Sequence, residues 1–369
     1  MIDDGLSGRP PTLRDVAERA GVSRQTVSRV INDKGEIADS TRERVLAVIQ
    51  DLGYQPNSFA RSLATNTSMV IGLVVPTINH PFFAEITRGV EDEANRLGYS
   101  VFLCTAGGSQ ERERRAIERL RGHRVAGLVT FNSHLDDETF SRAHQAICPV
   151  VQVNREVPGQ RGLVIWPGYE EGGTLATRHL IGLGRRTIGY IGFSHDSNLD
   201  ADKYEGYRRA HFEADLELDP RLVLRRAPSQ QSRPLERLAR AGYEALEIML
   251  RQNHNLDAVF ASNDLTAIGA IQFARAHGIK IPDDLALIGF GGSNIGALTA
   301  PTLSTIAMPL QSMGECAVRM IVDEIKRKER TTSTVDSPPE LIVRESTGGM
   351  SGDGRVSLGI WDDDRVEAG

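Results

Sequence analysis

Residues 21 to 32 read GVSRQTVSRVIN, and on a helix their side chains separate by chemistry. Val27, Val30 and Ile31 fall to one side, while Arg24, Gln25, Ser28 and Arg29 share the other at i, i+1, i+4, i+5 spacing. A guanidinium pairs bidentately with guanine and a carboxamide with adenine, so Arg24 and Gln25 have the chemistry to read base edges. Arg29, Ser28 and Thr26 suit phosphate or base contact, a division that residue type leaves open. A polar helix face by itself is ordinarily just a wet one. The segments on either side of this one decide the matter.

Upstream, TLRDVAERA places Leu13, Val16, Ala17 and Ala20 at i, i+3, i+4, i+7, and Thr12 with Asp15 three residues on forms a capping-box start. Gly21 breaks that helix and Ser23 is placed to cap the next, so two short helices must cross steeply through a tight turn. A third helix is expected from Ser40, capped by its own hydroxyl with Glu43 reaching back, with Val45, Ile49 and Leu52 as its buried stripe and Gly53 as its stop. This is helix-turn-helix grammar, in which the second helix enters the major groove. The charge agrees locally: Arg9 to Asn66 holds nine Arg and Lys against seven Asp and Glu, within a chain of net charge -6.

No comparable constellation for catalysis is present. TAGGSQ and GLGRRT lack the spacing of a dinucleotide or phosphate loop, and there is no G-x-S-x-G elbow. The nine His residues show no zinc-ligand spacing with cysteine, and Asp362, Asp363 and Asp364 read as a solvated run. Cys104, Cys148 and Cys316 are odd in number and widely spaced, which points to free thiols. An enzyme is therefore disfavoured and no cofactor or metal is expected.

At 369 residues and 40% hydrophobic content the chain is long enough for two or three domains with real cores. No apolar run approaches the roughly eighteen residues of a membrane span, and Met1 to Arg9 lacks the apolar core of a signal peptide, so a cytoplasmic protein with no membrane partner is expected. From Met69 onward, β-branched runs such as MVIGLVVP, VAGLVTF, TIGYIGF, DAVFASN and LALIGF alternate with amphipathic helical stretches, including 84–97, 112–121 and 265–277. That alternation implies parallel sheet covered by helices, in two subdomains. In such sheets ligands bind beyond the carboxyl ends of the strands.

The stretch TLRDVAERAGVSRQTVSRVINDKGEIADSTRERVLAVIQDLGYQPNSFARSLAT resembles the amino-terminal signature of LacI-type bacterial transcription regulators, the lactose-repressor and galactose-repressor family. The likeness continues through VIGLVVPTINHPFFAEITRGVEDEANRLGYSVFL, RVAGLVTF, GGTLATRHLIGLGRRTIGYIGF, AVFASNDLTAIGA and ELIVREST, from Thr12 to Thr347. It implies an α/β protein: a helix-turn-helix DNA-binding domain over 10–56, a hinge helix over 57–67, and two Rossmann-like lobes of periplasmic-binding-protein type. The first lobe is expected over 68–168 and 300–330, the second over 169–299 and 331–347, and a disordered tail over 348–369. The implied function is a repressor that binds a palindromic operator as a homodimer under the control of a small-molecule effector, such as a sugar or sugar acid, between the lobes. A solute-binding protein would share the core, but not the helix-turn-helix.

Residue by residue, the resemblance implies DNA contacts from Thr12, Ser23, Arg24, Gln25, Thr26, Ser28, Arg29 and Asn32, and from Asn57, Ala60, Arg61 and Leu63 of the hinge helix, with Leu63 as the minor-groove wedge. It implies effector contacts from Phe82, Phe83, Asn154, Trp166, Tyr169, His195, Lys203, Asn263, Asp264 and Gly291. Several of these depart from the family pattern. Lys203 stands where Arg is usual, Gly291 and Gly292 where two carboxylates are usual, Gly168 and Tyr169 where an Asp-Asn pair is expected, and Asn154 where Asp is frequent; Asn263 and Asp264 keep the pattern. A pocket without those carboxylates is less suited to a neutral monosaccharide, so a ligand with an anionic or aromatic portion is expected, with Lys203 as its charge partner and Asn263 as a hydrogen-bond partner.

Overall fold

The structure, a computed structural model, describes residues 9, 11–31, 35, 37–54, 68–131, 135, 148–153, 163–192, 198–225, 234–327 and 333–349. They form two compact units divided after Met69. The first holds helices α1 (Leu13–Ala20), α2 (Arg24–Ile31) and α3 (Asp39–Leu52). Thr12 and Asp15 cap α1 reciprocally: the Thr12 hydroxyl accepts from the Asp15 N–H, and the Asp15 carboxylate accepts from the Thr12 N–H at 2.7 Å. Gly21 follows in the left-handed region at φ 64°, which lets the chain reverse in two residues. The Ser23 Oγ then accepts from the Thr26 N–H at 3.0 Å, capping α2 as expected. Val16, Ala17, Ala20, Val27, Val30 and Val45 close a small core, with Leu13, Ile31, Ile49 and Leu52 packed at its edge.

The start of α3 differs from the expectation. The helix begins at Asp39 behind Ala38, with no side-chain cap, so Ser40 lies inside the first turn. Asp39 takes the place of a cap electrostatically, its carboxylate sitting at the positive end of the helix dipole.

The second unit contains two six-stranded sheets. The first is parallel, in the order β11 (Ser333–Asp336), β5 (Leu163–Trp166), β4 (Val150–Val153), β3 (Gly127–Phe131), β1 (Val70–Val75), β2 (Ser100–Thr105). Helices α4 (Pro81–Arg96), α5 (Gln110–Gly122) and α10 (Leu310–Arg327) belong to it. The second runs β12 (Glu340–Ile342), β10 (Ser304–Ala307), β9 (Ala286–Gly291), β8 (Ala258–Ala261), β6 (Ile188–Gly192), β7 (Val223–Arg225), with only β12 antiparallel. Helices α6 (Tyr169–Gly182), α7 (Asn198–Glu213), α8 (Pro234–Gln252) and α9 (Asp264–Ala276) flank it. Central strands such as GLVTF and IGYIG are buried at every residue, as strands covered on both faces must be.

The chain passes between the sheets three times; the second passage falls at the end of the 299–309 stretch where the sequence suggests one, and the third comes later than the sequence suggests. The first is at Pro167 and Gly168, as expected. The second follows β10, so residues 304–307 belong to the second lobe and not to the first. The turn at 299–302 is internal to the second lobe, and the strand STIA pairs with β9 before Pro309 ends it. The third comes at Ser337 to Pro339, so 333–336 is the edge strand of the first sheet and not part of the second lobe. The consecutive prolines, which cannot donate to a ladder, stop the pairing there. Gly348 and Gly349, assigned to a disordered tail, are tied back by N–H bonds to Glu345 O and Arg344 O, each at 2.9 Å. Residues 350–369 lie outside the described residues.

Candidate nucleic-acid interface and ligand site

On α2, Val27 and Val30 enter the core and the opposite face meets solvent. Arg24, Gln25 and Arg29 are exposed, and none makes a hydrogen bond or ion pair among the described residues. Their neighbours differ: Arg14 is held by Glu18 at 2.6 Å and Arg19 by Asp51 at 2.9 Å. Thr26 and Ser28 are half-buried on the same helix. Thr12 and Ser23 are committed to capping, so their part in any interface is to place the first turns of α1 and α2. Asn32, Asn57, Ala60, Arg61 and Leu63 lie outside the described residues.

In the second unit, the strand-to-helix connections bring several of the expected residues to one place. Tyr169 opens α6 and is buried, and Lys203 reaches toward it from α7. Two glycines make this approach possible, since a Cβ at Gly173 would collide with the Lys203 carbonyl and one at Gly206 with the Glu170 carbonyl. The Lys203 ammonium donates to the Ser262 carbonyl at 3.0 Å and lies 4.3 Å from the Phe290 ring centroid and 5.0 Å from that of Tyr169. Among the described residues no carboxylate comes within ion-pair distance of it, and burial lowers its pKa to about 8.

Two of the three carboxylates nearest in charge to Lys203, Asp200 and Asp264, are held by other groups; the third is Asp202. Asp200 accepts from the Tyr190 hydroxyl at 2.9 Å and from Arg225 Nε at 2.7 Å, a buried pair over which Tyr204 lies 4.9 Å from the guanidinium. Asp264 accepts from the Thr305 hydroxyl at 2.6 Å and from the Ser293 N–H at 2.7 Å. Burial raises the Asp264 pKa. One Asp264 oxygen thus holds the 291–293 loop at Ser293, and the other holds Thr305 of β10, whose hydroxyl in turn accepts from the Gly292 N–H at 3.2 Å. Asn263 caps α9, accepting from the Thr266 N–H and donating to its hydroxyl, both at 2.9 Å. Gly291 ends β9 at φ 126°, followed by Gly292 at φ 70°.

From the first lobe, His80 caps α4, its Nδ1 accepting from the Phe82 N–H at 3.2 Å. The proton of the neutral ring therefore sits on Nε2, which has no acceptor among the described residues. Phe82 and Phe83 stand edge to face at 5.1 Å beside it. Burial, and then the charge of Lys203, lower the His80 pKa to about 4. Trp166, by contrast, is 42% exposed at the end of β5 and makes no ring contact among the described residues; its carbonyl accepts from Ser337 N–H at the third passage. Asn154 and His195 lie outside the described residues.

Sequence reasoning gave His80 and Asp200 no role beyond lying in strand-to-helix stretches, 79–83 and 194–203, that could wall a pocket, and it did not find Tyr190, Tyr204, Arg225 or Ser262. The first had a legible signal, an imidazole directly before the Pro81 that opens α4; the others meet only through sheet register and helix packing. A separate cavity of about 310 Å³, lined by Thr187, Leu218, Arg221 and Asn253 among others, lies at the start of β6 and includes none of the expected residues. No three His, Cys, Asp or Glu side chains group to hold a metal ion among the described residues.

Residues 12–57 match the model of the bacterial regulatory proteins of the lacI family, and 177–347 match a periplasmic binding protein-like domain. The ribose operon repressor of Halalkalibacterium halodurans is 35% identical, over 92% of this chain and 97% of the relative. The chain belongs to the LacI family. The HTH-type transcriptional repressor PurR of Haemophilus influenzae is also 35% identical, over 91% of this chain and 98% of its own length. Among solved structures, the lac repressor dimer bound to operator and the anti-inducer ONPF superposes with a TM-score of 0.81 at 25% identity, covering 92% of this chain and 99% of that one. A regulator named CelR, solved in complex with cellobiose, is 31% identical with a TM-score of 0.68, covering 91% and 99%. This LacI-family chain is a DNA-binding transcriptional repressor with an effector-binding domain, and its α/β architecture is that of the lac repressor.

Proposed function

We propose that this repressor works in the cytoplasm as a homodimer, laying α2 of each subunit in successive major grooves of a near-palindromic operator, with a small molecule between the two lobes setting its affinity. The observation that carries the reading is the α2 face, where Arg24, Gln25 and Arg29 present donors and acceptors that nothing within the described residues satisfies. Arg24 and Gln25 read bases, and Arg29 anchors to phosphate. Exposed Leu103 on the first lobe, with Ile295 and Leu298 on the second, supplies apolar surface for a second copy. Two similar structures support the rest, the lac repressor dimer on operator with the anti-inducer ONPF and CelR with cellobiose. Phe82, Phe83, Tyr169, Lys203 and Asn263 line the proposed effector site, and the chain performs no catalysis.

Selection of bound sequences from a random duplex pool tests the reading, followed by titration of the best site. A palindrome bound by two copies is expected, with preference relaxed at one symmetric pair of positions in Arg24→Ala and at another in Gln25→Ala. Equal loss on all sequences would reduce the face to phosphate contact, and a site bound by one copy would refute the dimer.

A further inference from the structure

Helices that connect parallel strands run opposite to them, so their C-termini gather at the end of each lobe where the strands begin. At that end of the first lobe the last turns of α4, α5 and α10 carry Arg96, Arg119, Arg121, Lys326 and Arg327, and Arg124 follows α5; all six are exposed. A Cβ at Gly127, three residues after Arg124, would collide with Ile321 of α10, which shows how closely these helix ends share the edge of the sheet. The carboxylates on the same turns leave most of that charge unmatched. Glu93 is buried and bound by Arg96 at 2.7 Å, Glu324 is buried, and Asp323 is exposed. Arg119, Arg121, Arg124, Lys326 and Arg327 make no ion pair among the described residues, whereas Arg114 and Arg115, earlier on α5, are held by Glu111 and Glu118. The helix dipole favours a cation at any helix C-terminus, so the second lobe serves as the comparison. The last turns of its four helices carry only His179, His211, Arg251 and Arg275, and Arg251 is bound to Glu247 at 2.6 Å. The excess is local to the first lobe of a chain whose net charge is -6.

The backbone singles out Arg124 independently. Helices α4, α5, α6, α7 and α9 all close with a residue in the left-handed region: Gly98, Arg124, Gly184, Asp215 and Gly278 in turn. Glycine adopts that conformation freely and aspartate readily, but arginine does not, so Arg124 at φ 52° is a choice that closing the helix does not call for. Arg124 also stands where the chain enters the lobe. Val70 opens β1, and its carbonyl accepts from the Ala126 N–H at 2.7 Å. The chain from Tyr54, at the end of the helix-turn-helix unit, to Val70 can span at most roughly 50 Å, so DNA held by α2 is tethered within reach of this end.

We infer that the first lobe carries a second DNA-contacting surface, in which Arg119, Arg121 and Arg124 bind backbone phosphates of the duplex flanking the operator. This rests on the proposed operator reading and adds a partner surface to it. A phosphate contact carries no sequence information, so the patch contributes affinity and salt dependence while α2 keeps the choice of bases.

Titration of the full chain on duplexes extending about 20 base pairs beyond the palindrome on each side, over a range of salt, tests this, with phosphate ethylation interference mapping the contacts. Arg121→Gln with Arg124→Gln should lower the slope of log affinity against log salt by about two and weaken operator and random duplex alike by about tenfold. The same variant should relieve interference at phosphates outside the palindrome and leave the selected sequence unchanged. Arg121→Lys with Arg124→Lys should keep the slope. Arg124→Gly separates binding from folding, because it suits the backbone better: it should raise the unfolding transition and still lower the slope by about one. Arg251→Gln with Arg275→Gln, at the end of the other lobe, should leave the slope as it is. An unchanged slope and interference map in the Gln pair, an equal fall in slope in the second-lobe pair, or altered base preference at constant slope would each overturn the assignment. A parent chain that selects a palindrome but shows no flanking contact keeps the operator reading and discards the patch. A parent whose salt slope depends on Arg121 and Arg124 while no palindrome is selected keeps the patch and discards that reading.

Discussion

The α2 face and the second lobe both carry guanidinium groups, but in opposite states. Arg24 and Arg29 stand in water with no partner among the described residues, whereas Arg225 is 8% exposed and bonded to a carboxylate that is itself 3% exposed. A side chain that must meet a large polyanion stays hydrated and unattached, so that binding trades water and counterions for phosphate and base edges. A guanidinium that is paired inside the fold is desolvated and fixed, and its charge is spent on a buried carboxylate. The same residue type serves both purposes, and burial decides which.

The sharpest way to break this comparison is at the buried pair. Arg225→Met should destabilise the second unit by about 3 to 5 kcal/mol, because it leaves Asp200 charged and buried, while Arg225→Met with Asp200→Asn should recover much of the loss; denaturant unfolding of the three proteins measures this. If the single variant unfolds like the parent, the pair is hydrated and the contrast with α2 fails.

The next effect is on pH. The His80 pKa lies at about 4 in the folded chain against an ordinary 6.5, so between these values the unfolded chain binds more protons and stability rises with pH. The contribution is complete above about pH 6.5 and is lost as pH falls toward 4, amounting to at most about 3 kcal/mol. His80→Asn should flatten the stability profile in that window; an unchanged slope would show the imidazole to be solvated.

At the hydrated end, Arg24→Ala and Gln25→Ala should each cost about 1 to 3 kcal/mol on the preferred operator and far less on random duplex, with no change in unfolding. Smaller still, Thr12→Ala should cost the first unit about 1 kcal/mol by removing the reciprocal cap, read from its thermal transition.

How legible each region was follows from how far apart its partners lie in the chain. The helix-turn-helix is built from neighbours: Thr12 with Asp15, Gly21 at the turn, Ser23 with Thr26, and apolar residues three and four apart, so spacing alone exposes it. The misplaced α3 cap is an error of two residues, Ser40 for Ala38, because the hydroxyl that looks like a cap lies just inside the first turn. The alternation of strands and helices was equally readable, but the lobe boundaries were not. A Pro- and Thr-rich turn looks the same inside a lobe as between lobes, and only the pairing of β10 with β9 and of β11 with β5 tells them apart. At the ligand site, Lys203 and Tyr169 could be named through the family pattern. Nothing local to Asp200 announces Arg225, 25 residues on, and nothing local to Asp264 announces that Thr305 and Ser293 occupy its oxygens.

The three passages between the sheets also set an order of assembly. Strands β1 to β5 emerge from the ribosome first, yet their sheet lacks its covering helix α10 and its edge strand β11 until most of the second sheet has been made. During that interval the open edge of β5 and the face later covered by α10 are exposed to other chains. The lobe begun first is thus completed by residues synthesised after five strands of its neighbour, and a truncation anywhere before Asp336 leaves both sheets short of an edge strand.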